Sequence, residues 1–190
     1  KDAPCEVSSD GWVQPYGDSP MDEEHVSEHV YMQLFNRARN YIYINTPYLI
    51  LDDSMLSALE LAAKSGVDVR IVTPHVWDKY LVHMTTRSYY ADLLRAGVRV
   101  YEFTPGFMHA KTVVCDDEAA TVGTVNMDFR SLYLHFECGV RMYESAAVAQ
   151  VRDDFLKTLE VCHEMTLPEC EVGALRSVGR QILRLFAPLM

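Results

Sequence analysis

Between residues 41 and 103 the hydrophobic period changes four times, and each change is marked by a glycine, a proline or a capping acid. Residues 41–51 form a run of β-branched and aromatic side chains, the composition of a strand. Asp52 or Asp53 then opens a helix that reaches Lys64 and stops at Gly66. A strand over 67–73, a helix over 79–96 closed by Gly97 and a strand over 98–103 repeat the pattern. Strands spaced by helices imply a sheet covered by helices on its faces. The expected class is therefore α/β, a mixed β-sheet flanked by helices on both faces.

The rest of the chain fits around this unit. The first twenty residues are rich in turn formers around a short extended piece at 12–14. Over 22–39, Val26, Val30, Leu34 and Ala38 recur at helical spacing. After Pro105 and Gly106 the pattern becomes strands joined by short turns, over 108–115, 119–125 and 133–142. Ser145 then opens a helix to about residue 162. With 190 residues, 49% of them hydrophobic, one sizeable core is expected, in a domain over 1–165. A tail over 166–190 differs in composition. Arg176, Arg180 and Arg184 are spaced four apart among Leu175, Val178, Ile182, Leu183, Leu185 and Phe186, a basic amphipathic helix. It is suited either to an anionic membrane surface or to docking, on the core or on a domain outside this chain.

Charge narrows the partners. A formal charge of -10, from 27 acidic against 17 basic residues, disfavours a general duplex-binding surface, and no nucleic acid is expected as a partner. The five cysteines are scattered without metal-site spacing, so neither a metal nor another cofactor is expected. No apolar run approaches the roughly 20 residues that cross a bilayer, so any transmembrane anchor is expected outside this chain. A start at Lys1 rather than Met reads as a piece of a longer protein.

The chemistry concentrates between residues 108 and 137. On a strand, His109 and Lys111 would project from one face, setting a titratable nitrogen beside a fixed cation. That pairing suits a phosphate. Lys111 can hold a non-bridging oxygen and the charge of a five-coordinate phosphorus, while neutral His109 can attack phosphorus or protonate a leaving alcohol. Gly123 allows close backbone approach beside Thr124, and the Asn126 amide can donate to the same oxygens. Glu137 can accept from the second imidazole nitrogen and fix its tautomer. Asp116 has the wrong parity for the site and is expected to hold the turn at 115–118.

The spacing His109-x-Lys111-x4-Asp116-x6-Gly123-Thr124-x-Asn126 matches the HKD motif of the phospholipase D superfamily at every position. Asn126-Met-Asp-x-Arg130-Ser131 followed by Phe136-Glu137, with Asn45-Thr-Pro-Tyr48 and Gly11-Trp-Val-Gln-Pro, resembles bacterial cardiolipin synthases, specifically their C-terminal half. His135 departs from the Asn found in many relatives. The resemblance implies metal-free phosphatidyl transfer between two phosphatidylglycerol molecules through a phosphohistidine, with release of glycerol. It also implies two motifs, the second from the N-terminal half of the enzyme or a second copy, at the cytoplasmic face of a bacterial cell membrane. Under it His109, Lys111, Asn126 and Glu137 are catalytic, Lys111, Asn126, Thr124 and Arg130 bind substrate, and Asp116 and Gly123 are structural.

Several residues invite blander readings. His25, His29, His75, His83 and His163 lack a Lys two positions on and read as surface or partly buried groups. Cys115 reads as core, and Tyr89, Tyr90 and the two Trp residues as packing. Arg130 and Arg141 suit either a lipid phosphate or an internal salt bridge. Other activities compatible with the motif are a phospholipase or phosphatidylserine synthase, a homodimeric endonuclease and a phosphate-binding module without turnover.

Overall fold

The computed structural model describes residues 10–21, 23–171 and 173–189. The side chains of Leu175, Arg176 and Arg180, part of the expected basic stripe, lie outside the described residues. Eight strands form one sheet: β1 (Trp12–Asp18), β2 (Tyr41–Asn45), β3 (Asp68–Pro74), β4 (Arg99–Phe103), β5 (Thr112–Cys115), β6 (Ala119–Gly123), β7 (Glu137–Tyr143) and β8 (Cys162–Glu164). Their order across the sheet is β1-β7-β6-β5-β2-β3-β4-β8. The pairs β2–β3 and β3–β4 are parallel and all others antiparallel, so the sheet is mixed.

Helices cover both faces. Helices α1 (Val26–Arg37), α2 (Asp53–Lys64) and α3 (Tyr80–Ala96) cover one face, where Leu34, Met55, Leu59 and Leu93 pack on Ile42, Ile44, Ile71 and Val100. Helix α4 (Ala146–Leu159) covers the other, setting Val148 and Phe155 against Tyr43, Val72, Val114 and Met142. Adjacent positions on β2 thus serve opposite cores, as the two-residue period of a strand requires. The stops and starts have local causes. Asp52 accepts from the Met55 N–H at 2.7 Å, and Gly97 closes α3 at φ +98°, a conformation that costs glycine little.

The structure redraws several expected elements. The strand expected over 41–51 leaves the sheet after Asn45, since Pro47 has no N–H for a ladder; Leu49 instead bridges Met127, and the Ile50 N–H donates to the Met127 carbonyl at 2.8 Å. The ladder of the strand expected over 108–115 begins only at Thr112. The strand expected over 133–142 starts at Glu137, preceded by a single π-helical turn at Arg130–Leu134. That turn is nucleated by Asp128, whose carboxylate accepts from the Ser131 N–H at 2.7 Å and whose carbonyl accepts from Leu132 at 3.0 Å. The helix expected from residue 22 begins at Val26, where Asp18 accepts from the Ser27 N–H at 2.7 Å. Helix α4 stops at Leu159, leaving residues 162–164 to edge the sheet as β8.

A short helix, α5 (Leu167–Cys170), leads to α6 (Ala174–Leu185) and a 3-10 turn at Ala187–Leu189. Of the two placements weighed for the tail, Arg184 takes the docked one. Its guanidinium pairs with Asp92 at 2.7 Å, donates to Ser88 and lies 4.2 Å from the Tyr89 ring centroid, all on α3. Val178, Ile182 and Leu185 remain exposed on the outer side.

Candidate active site

The topology gathers five strand ends, and the four connections they bear, at one end of the sheet. Strands β2 and β3 run parallel and end there. Strand β5 runs against β2 and begins there, β6 returns and ends there, and β7 leaves from it. Residues following β2, β3 and β6, and those preceding β5 and β7, are therefore brought together although up to 90 positions separate Tyr48 from Glu137 in sequence. They enclose a cleft of about 650 Å³ lined by His109, Asn126, Asp128, Arg130 and Ser131 on one side, with Tyr48, Lys79 and Tyr80 among the others. This lies within the size range of small-molecule sites.

His109 and Lys111 occupy the extended lead into β5. The imidazole is exposed to the cleft and stacks 5.7 Å from Phe107, while Lys111 is 8% exposed and turns its ammonium back to the His109 carbonyl at 2.8 Å. Burial and the Lys111 and Lys79 cations hold the His109 pKa below its ordinary value, against the opposing pull of Asp78. Burial also lowers the Lys111 pKa, countered by the Glu137 and Asp128 carboxylates.

The expected hydrogen bond between Glu137 and His109 is not formed. Glu137 accepts instead from the Thr124 hydroxyl, and Thr124 is stitched to β7 by a 2.9 Å bond from its N–H to the Cys138 carbonyl. Glu137 stands on β7 with β6 between it and β5, about 10 Å from the β5 backbone at two strand spacings, and the Thr124 hydroxyl just after β6 takes its carboxylate. Its charge acts on Lys111.

Asn126 follows β6, and its Nδ2 donates to Ser131 Oγ at 2.9 Å while its Oδ1 is buried without a partner among the described residues. Asp128 holds both: burial raises its pKa, and hydrogen bonds from Ser131 and Asn126 pull the other way. Gly123 is required by the close approach of β7, since a Cβ there would lie 2.4 Å from the Cys138 carbonyl oxygen. Asp116 lies away from the cleft. Its carboxylate accepts the N–H groups of Arg39 at 2.6 Å, Asn40 at 2.9 Å and Tyr41 at 2.8 Å, joining the α1–β2 connection to the β5–β6 turn.

Arg130 and His135 both face the cleft, and among the described residues Arg130 makes no ion pair. Arg141 lies elsewhere, bonded to Gln33. No group of three or more His, Cys, Asp or Glu among the described residues is placed to hold a metal ion. Sequence reasoning placed Asp128 and Ser131 only within the family resemblance and gave them no role, although an Asp ahead of a helical turn is a readable capping signal. It also passed over Asp78 and Lys79, which no local pattern marks.

A buried cation, an exposed imidazole and a held carboxamide at one end of a mixed sheet suit phosphoryl transfer. Comparison with known proteins narrows this. The family model described as "Cardiolipin synthase, PLD-like domain" matches residues 31–159, more than half of the chain. The chain belongs to the cardiolipin synthase branch of the phospholipase D superfamily. A cardiolipin synthase of Clostridium perfringens is 42% identical over 161 residues, covering 84% of this chain and 34% of its own length. The phosphatidylserine synthase of Haemophilus influenzae has the same fold, with a TM-score of 0.71 at 18% identity over 93% of this chain and 45% of that one. The phospholipase D family member Nuc of Salmonella typhimurium superposes with a TM-score of 0.68 at 16% identity, covering 81% of this chain and 97% of its own. This chain spans 34–40% of the length of three curated relatives that it matches. Among the described residues no helix is long and apolar enough to cross a membrane.

Proposed function

We propose that this chain is the C-terminal HKD half of a cardiolipin synthase. The observation that carries the proposal is that His109 and Asn126 line one cleft, with the Lys111 ammonium bonded to the His109 carbonyl, in a chain whose relatives include cardiolipin synthases. In the first step an imidazole nitrogen attacks the phosphorus of phosphatidylglycerol. The bond to the glycerol oxygen breaks, and a second imidazole protonates that oxygen. In the second step a hydroxyl of another phosphatidylglycerol attacks, its proton passes to the second imidazole, and the phosphorus–nitrogen bond breaks to return a neutral histidine. Lys111, Asn126 and Arg130 hold the non-bridging oxygens through both steps, stabilising the additional charge of the five-coordinate phosphorus. With a cation and a nucleophile already in place, no metal ion is required.

This chain contains one His-x-Lys pair, so the second imidazole comes from the N-terminal HKD half of the same enzyme or from a second copy across a two-fold axis. The substrate places the site at a bilayer surface, on the cytoplasmic side of a bacterial membrane. Glu137 supports Lys111 by charge, and Thr124 anchors Glu137.

The test supplies vesicles of labelled phosphatidylglycerol to the polypeptide that carries this chain, without divalent metal, and separates the products. Cardiolipin and free glycerol in equal amounts support the proposal. Phosphatidic acid alone would mean that water is the acceptor and the protein a phospholipase. Phosphatidylserine formed from an added CDP-activated lipid and serine would mean a phosphatidylserine synthase. Cleavage of single-stranded DNA with no lipid turnover would mean a nuclease.

A further inference from the structure

The wall of the cleft formed by the β2–α2 and β3–α3 connections carries a carboxylate to which neither the HKD motif nor the scheme above gives a role. Asp78 accepts a hydrogen bond from the Tyr48 hydroxyl at 2.5 Å through one oxygen and from the Lys79 N–H at 2.6 Å through the other. Lys79 turns its ammonium over the Tyr48 ring, 5.4 Å from the centroid, rather than onto the carboxylate. Among the described residues Asp78 forms no ion pair, although it is exposed and adjoins Lys79. Its charge reaches His109, where Asp78 is the carboxylate opposing Lys111 and Lys79.

We infer that Asp78, held by Tyr48, is the subsite for the hydroxyl groups of the glycerol headgroup and so selects the acceptor alcohol; this rests on the phosphatidyl-transfer reading. An ionised carboxylate offers about four lone-pair sites. Two are used by Tyr48 and Lys79, one on each oxygen, which leaves one on each. A free acceptor position there takes the hydroxyl next to the attacking one, while the attacking hydroxyl's own proton goes to the second imidazole. Water and ethanol have no neighbouring hydroxyl to place on it. Position agrees with the chemistry. Tyr48 and Lys79 line the same cleft as His109, on connections that leave the carboxyl ends of two parallel strands. A carboxylate there also repels a phosphate, steering the phosphodiester toward Lys111 and Arg130 and leaving the hydroxylated end of the acceptor for Asp78.

The experiment compares wild type with Asp78→Asn in the polypeptide that carries this chain. Asparagine can accept from the Lys79 N–H with its oxygen and donate from its amide nitrogen to the Tyr48 hydroxyl oxygen, so the wall is kept while the charge and one acceptor position are lost. Phosphatidyl transfer is competed among water, ethanol and glycerol, and the product ratios are read. The subsite predicts that Asp78→Asn lowers the glycerol-to-water ratio on the order of tenfold, the usual scale for losing a hydrogen bond to a charged group. The ethanol-to-water ratio should move much less, Asp78→Glu should recover part of the glycerol preference, and Tyr48→Phe should lose part of it. Equal loss of all three products, or an unchanged glycerol preference, would overturn the inference and leave Asp78 as a holder of its own loop. If wild type transfers to alcohols but does not choose glycerol over ethanol, the inference fails while phosphatidyl transfer stands. If wild type turns over no phosphatidylglycerol at all, the proposed function fails and the subsite with it.

Discussion

His109 sits between one carboxylate and two ammonium groups, and the balance falls on the side of the neutral imidazole. Burial, Lys111 and Lys79 lower its pKa and Asp78 raises it. Removing a cation must therefore raise the value and removing the carboxylate must lower it. Histidine titration by NMR should find the His109 midpoint below that of an ordinary imidazole, displaced upward in Lys79→Ala and downward in Asp78→Asn. Displacement of both variants in one direction would contradict this field. His109 and Lys111 were legible from their spacing alone, because two residues apart in an extended segment is a local relation. The partner of Glu137 was not legible. That depends on how many strands separate β7 from β5, a fact of sheet order that no short window contains.

The β5–β6 hairpin and its junction with β7 fix the site from behind. Asp116 and Asp117 both adopt positive φ, 56° and 57°, and the Glu118 N–H donates to the Cys115 carbonyl at 3.0 Å, the geometry of a type I′ turn. Asp116 also accepts three backbone N–H groups. Asp116→Ala leaves those donors without their acceptor in a conformation alanine disfavours, so urea unfolding should show a loss of about 2–4 kcal/mol. Gly123→Ala should cost about 1–3 kcal/mol, because a methyl group must force β6 and β7 apart where Thr124 and Glu137 meet. An unchanged unfolding midpoint in either variant would contradict these roles. At this scale glycines, caps and hydrophobic period revealed the helices and most of the strands. Two of the misplaced boundaries have plain causes: Pro47 lacks the N–H that would continue its ladder, and Asp128 folds a helical turn ahead of an expected strand because side-chain to backbone bonding there outweighs β propensity.

The whole molecule gathers His109, Asn126 and Arg130 on one cleft, and its tail is strapped along α3 so that Leu189 reaches the same cleft. Arg184→Ala removes the ion pair to Asp92, the bonds to Ser88 and the stacking on Tyr89. Amide exchange over residues 181–189 should then accelerate several-fold while β2 and β3 keep their protection; unchanged exchange would mean that other contacts hold the tail. Phosphatidyl transfer through His109 is tested by giving labelled phosphatidylglycerol vesicles to the polypeptide carrying this chain, as wild type and as His109→Ala, free of divalent metal. Cardiolipin should form with wild type and not with the variant. Cardiolipin formed equally by both, or by neither, would rule out transfer through His109.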